Sequence, residues 1–65
     1  MAHTTGKAAD IAVSGDKAYR LLEETFKMGV FTGIGINQKG ANRFIHLDTC
    51  TTADGLPRPN IWSYT

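Results

Sequence analysis

At 65 residues the chain makes one small domain at most, and a chain of that length buries only about 60% of the surface its unfolded form exposes. The single Cys50 excludes an internal disulfide, which leaves a metal or a partner surface as the expected source of extra stability. Seven basic and six acidic residues spread along the chain give a net charge of +1, which excludes the cationic stripe that tracks nucleic-acid phosphates.

No run of about 18 or more apolar residues exists to span a bilayer, and the N-terminus lacks the basic segment and apolar core of a secretory signal. The chain therefore reads as soluble and unprocessed. One thiol does not report the redox compartment, so localisation stays open.

Residues 8–13 (AADIAV) are small and β-branched, bounded by Gly6 and by Ser14-Gly15-Asp16, and predict a strand. Alternation sets Ala9, Ile11 and Val13 on one face and Ala8, Asp10 and Ala12 on the other, leaving space beside the acid. Residues 16–28 change to helical periodicity, with Ala18, Leu21, Leu22 and Phe26 on one stripe and Asp16/Arg20 and Glu23/Lys27 as i,i+4 pairs. Ser14 or Asp16 can cap this helix and Gly29 can end it. Its apolar stripe is explained by packing on a sheet.

Residues 30–36 form a second predicted strand, in which Gly33 and Gly35 permit a bulge or the close approach of another backbone. Residues 37–42 (NQKGAN) read as a polar hairpin loop. The third strand, 43–49, sets Phe44, His46 and Asp48 on one face and Ile45 and Leu47 on the other. Beyond it the chain is rich in Thr, Gly and Pro until Ile61-Trp62-Ser63-Tyr64, which can add a short edge strand or pack aromatics over the core. Strands around one helix with hairpin-length connections predict an α+β fold, a small antiparallel sheet with the helix on one face.

Imidazole and carboxylate donors suit zinc, and a catalytic zinc keeps three protein ligands and one open position. His3, Asp10 and His46 make up that number. If the first strand pairs with the third, Asp10 and His46 converge. Taken singly, each residue also has an ordinary explanation. A histidine near a terminus is commonly a surface residue, an acid in a strand is often solvated, and a strand histidine is more often hydrogen-bonded than a ligand. Cys50 as a fourth, thiolate ligand would close the open position.

The combined pattern is more specific. H-x-x-G-x-A-x-D at residues 3–10, a helix, the G-I-G strand, F-I-H-L-D-T at 44–49 and R-P-x-x-W-S-Y at 58–64 closely resemble the zinc D-alanyl-D-alanine carboxypeptidase and murein endopeptidase family. That family shares its fold with the hedgehog signalling domain. The resemblance implies Zn2+ ligation by His3, Asp10 and His46, and a zinc metallopeptidase, or its catalytic fragment, acting on peptidoglycan stem peptides of a bacterium or in a phage. The implied place of action is the periplasm or cell wall. The alternatives are a non-catalytic metal- or cell-wall-binding remnant, in which zinc serves to staple the fold, and a small interaction module with incidental histidines.

The sequence also departs from the family. Some members carry an acid three residues before the last histidine and others a histidine two before it, where this chain has Arg43 and Phe44. Asp48 is the remaining candidate for the general base, and its competing role is to orient a ligand histidine. Met1 stands where the family has a serine, and the upstream portion that supplies a sheet strand and a substrate-binding arginine does not precede the motif. Residues 1–65 are thus expected to be a single domain, the C-terminal, zinc-binding half of the peptidase. The expected partners besides the substrate are a second copy or the missing N-terminal half.

Overall fold

The computed structural model describes residues 8–64. In chain order the elements are β1 (Ala8–Ile11), α1 (Gly15–Met28), β2 (Gly33–Asn37), β3 (Phe44–Asp48), a 3-10 turn at Thr52–Asp54, and β4 (Asn60–Ser63). The four strands make one sheet in the order β1-β3-β2-β4. The α+β expectation is met, with all three anticipated strands shorter than the sequence suggests and the tail contributing a fourth.

The expected all-antiparallel sheet is instead mixed. β3 is antiparallel to both β1 and β2, whereas β2 and β4 run parallel. Connection length explains the difference. Asp48, at the end of β3, and Asn60, at the start of β4, both pair with Gly33, so the chain leaves and re-enters the sheet at the same end. A short loop crossing one strand can only start β4 there, which makes it parallel to β2.

Alternation along β3 divides the sheet into two faces. Ile45 and Leu47 point toward α1 and are buried with Ile34 and Ala18, surrounded by the partly buried Ile11, Val13, Leu21, Leu22, Phe31 and Ile36. Burying one large aliphatic side chain is worth roughly 1.5–3 kcal/mol. With three such residues at its centre, the core leaves little reserve. His46 and Asp48 occupy the opposite face, away from the helix.

α1 ends as expected. Gly29 adopts the left-handed conformation at φ 65° and returns its N–H to the Thr25 carbonyl, a position where a Cβ is disfavoured. Ser14 is the N-cap residue but makes no side-chain cap bond. Phe26, expected on the packing stripe, is 61% exposed, because the buried line of the helix runs through Ala18 and Thr25. The Thr25 hydroxyl is satisfied by donating to the Leu21 carbonyl at 2.7 Å. Lys27 meets Glu24 at 3.5 Å, one residue nearer than its expected partner Glu23. Among the described residues no helix is long and apolar enough to cross a membrane.

Candidate functional site

The register of the sheet builds the site. Asp10 on β1 stands opposite His46 on β3, and on the other side of His46 lies Gly35 of β2. All three side-chain positions therefore share the face turned away from α1. The consequence is a direct contact: His46 Nδ1 lies 2.9 Å from Asp10 Oδ1. The imidazole is almost fully buried, with 8% of its side chain exposed, whereas the Asp10 side chain is 46% exposed. One member of the pair is fixed by packing and the other faces water.

The second ring nitrogen is held as well. His46 Nε2 is 2.7 Å from Asp48 Oδ2, and Asp48 is fully buried. A buried carboxylate needs compensation, and Arg58 supplies it with a two-pronged grip. Nε donates to Oδ1 at 2.9 Å and Nη2 to Oδ2 at 2.7 Å. The Cys50 backbone N–H adds a third donor to Oδ1 at 3.2 Å. The Arg58 guanidinium holds the Asp48 carboxyl well below the usual carboxylate range; burial opposes that shift, and the His46 and Cys50 hydrogen bonds reinforce it. The same pair raises Arg58. An ionised carboxylate only accepts hydrogen bonds, so Nε2 donates to Asp48 in this contact, while Nδ1 faces the second carboxylate, that of Asp10.

Arg58 in turn lies over the Trp62 ring, with its guanidinium carbon 5.0 Å from the ring centroid, a cation–π distance. Trp62 also packs on His46, centroids 5.4 Å apart and tilted by 44°, and continues into Tyr64 and Phe44. The glycines of β2 make this possible. A Cβ on Gly35 would come within 2.5 Å of Trp62 Nε1, and one on Gly33 would collide with the Asp48 carboxylate and Arg58 Nε. The expected close approach at these glycines is real, but side chains rather than another backbone occupy the space.

Of the anticipated residues, the fold thus brings together Asp10, His46 and Asp48. His3 lies outside the described residues. Among the described residues no group of three or more His, Cys, Asp or Glu could hold a metal ion. Asp10 and His46 have donor atoms that suit one. Nδ1 and Oδ1 at 2.9 Å are near enough to occupy adjacent positions around an ion bound at about 2.0–2.2 Å, and a carboxylate on the far nitrogen of a ligand histidine is the usual supporting partner. Cys50 is buried, and its backbone N–H serves Asp48.

Arg58 and Trp62 belong to the R-P-x-x-W-S-Y motif, and the sequence predicts that Trp62 packs over the core or joins an edge strand, but it does not anticipate their contacts with Asp48 and His46. A usable signal was present: a buried acid on the site face requires a cation, and two glycines alternating on β2 leave room for large side chains from the tail. No family model, curated protein or solved structure matches this chain.

Proposed function

We propose that this chain forms the zinc-holding part of a metallopeptidase that acts on the stem peptides of peptidoglycan. The observation that carries the proposal is the state of His46. Its Nε2 is fixed by a buried, arginine-clamped carboxylate, and its Nδ1 is presented beside the half-exposed Asp10. This is how a ligand histidine is prepared for a metal: one ring nitrogen is held from behind by a carboxylate, and the other, in contact with Asp10, is aimed at the place where an ion would sit. The motif order described above supports the substrate class, with His3 as the third ligand.

Zinc, when bound, polarises a scissile carbonyl and lowers the pKa of a bound water to about 7. Each residue of this chain has a separate task in that setting. Asp10 contributes an anionic oxygen at the wet edge, where substrate and water have access. His46 contributes a neutral nitrogen from a rigid strand. Asp48 is assigned the orienting role rather than that of general base, since its oxygens are engaged by Arg58, His46 and the Cys50 N–H and its basicity is depressed. A base needs reach to the reacting proton and a pKa near the working pH, and the engagement of both Asp48 oxygens and the lowering of its carboxyl count against that role.

The test is elemental analysis of the protein purified without chelators, with His46→Ala as control, followed by digestion of purified muropeptides. One equivalent of zinc in the parent protein, lost in His46→Ala, together with cleaved stem peptides, supports the proposal. Zinc without cleavage selects the non-catalytic metal-binding alternative. Absence of stoichiometric zinc overturns both.

A further inference from the structure

Asp48 touches the ring of His46 and accepts the Cys50 backbone N–H, but neither contact compensates its buried charge or spans both of its oxygens. The one side chain that does both is Arg58, which precedes β4. The guanidinium spans both carboxylate oxygens at 2.9 and 2.7 Å, so it fixes the plane of the carboxylate as well as its charge. A bidentate grip of this kind is available to arginine and not to lysine. The guanidinium is itself confined between this carboxylate and the Trp62 ring, and 7% of its side chain is exposed. Trp62 bears on the imidazole directly. Arg58 and Trp62 therefore close a frame around His46 that begins and ends outside β3.

We propose that Arg58 is a positioning residue for the metal site: through its two-pronged hold on Asp48 it fixes the imidazole of His46 with Nδ1 turned toward Asp10. The proposal rests on the zinc reading above for its consequence, and on the frame of side chains alone for its geometry. A carboxylate released from the fork can rotate away from Nε2. The ring then loses the contact that fixes its orientation from behind, and Nδ1 is no longer held toward Asp10 and the place of the ion. Loss of such a supporting partner typically lowers metal affinity 10- to 100-fold.

The experiment compares the parent chain with Arg58→Lys and Arg58→Gln by zinc affinity, measured in competition with a chromophoric chelator, by thermal stability without metal, and by the imidazole N–H proton resonance of His46. That resonance is assigned by its loss in His46→Ala. Arg58→Lys keeps the positive charge beside the buried carboxylate and so keeps the fold, but a single ammonium does not align both oxygens. The expected result is a metal-free melting temperature close to that of the parent, a broadened or absent His46 N–H resonance, and zinc affinity about 10- to 100-fold weaker. Arg58→Gln is expected to lose both affinity and stability.

Zinc bound by Arg58→Lys as tightly as by the parent, with the N–H resonance intact, would reduce Arg58 to a counter-charge and overturn the proposal. If the parent binds no zinc, the metal reading fails and the resonance alone decides: its loss in Arg58→Lys sustains the positioning role, and its persistence ends it.

Discussion

Asp48 and Arg58 form a buried, two-pronged ion pair that joins β3 to the segment leading into β4, with both carboxylate oxygens within 2.9 Å of the guanidinium. The pair spans ten residues of chain and lies directly behind the His46 ring. Whatever the site does, the tail of the protein is tied to it by this contact.

Removing one partner of a buried pair leaves the other charge uncompensated, which costs about 3–5 kcal/mol. Asp48→Asn is expected to lose that much at pH 7 by urea denaturation. The loss should depend on pH. Free aspartate titrates near pH 3.9, and Arg58 holds Asp48 lower than that in the folded protein. Below about pH 4 the unfolded chain therefore binds a proton that the folded chain refuses, and stability falls by up to about 1.4 kcal/mol per pH unit. The contribution is complete above the unfolded value and disappears as pH drops toward the native one. The gap between parent and Asp48→Asn should narrow in that acid range; a gap that stays constant down to about pH 3 would show that the pair does not carry it.

Gly35→Ala tests the seat of Trp62. The added methyl group would fall 2.5 Å from the indole nitrogen, and overpacking of this sort costs about 1–3 kcal/mol. The indole is expected to lift from β2 and away from His46. Tryptophan emission reports this directly, because Trp62 is the single tryptophan. An unchanged spectrum with unchanged stability would mean that the ring does not rest on Gly35.

The two faces of the helix and sheet should respond very differently to substitution. Ile45 is fully buried between the sheet and α1, so Ile45→Ala is expected to cost about 2–5 kcal/mol. Phe26 is 61% exposed, and Phe26→Ser should cost little, about 0.5 kcal/mol by the usual behaviour of surface sites. Thermal melts of the two variants side by side measure the contrast. A Phe26→Ser loss as large as that of Ile45→Ala would place Phe26 in the core after all.

That helix illustrates what a sequence can and cannot carry. Its extent was legible because Ala18, Leu21, Leu22 and Phe26 recur at three- and four-residue spacing and Gly29 stops the pattern, both local signals. The exposure of Phe26 was not, since it depends on how the helix is rotated over the sheet. The same holds for the site. Period-two alternation was enough to put His46 and Asp48 on one face of β3, and the convergence of Asp10 and His46 followed from pairing the first strand with the third. The parallel entry of β4 was hidden, because it follows from where the eleven-residue connection 49–59 returns rather than from any residue type. With it went the roles of Arg58 and Trp62, whose meaning exists only after β4 is laid beside Gly33 and Gly35.

The decisive property of the proposed metal site is that its wet ligand is separable from the fold. The Asp10 side chain is 46% exposed and sits on the edge strand β1, so Asp10→Ala should change metal-free stability by no more than one ordinary hydrogen bond, about 0.5–1.5 kcal/mol. Zinc bound only by the folded state adds about 2.7 kcal/mol when its free concentration is a hundred times the dissociation constant. In a domain of this size each kcal/mol moves the melting temperature by about 4–8 °C. Chelation of the parent protein should therefore lower its melting temperature by about 10–20 °C, while Asp10→Ala should melt at nearly the same temperature with and without chelator. A parent protein indifferent to chelation, or an Asp10→Ala variant that still gains from zinc, would remove Asp10 from the ligand set and leave its contact with His46 as a hydrogen bond only.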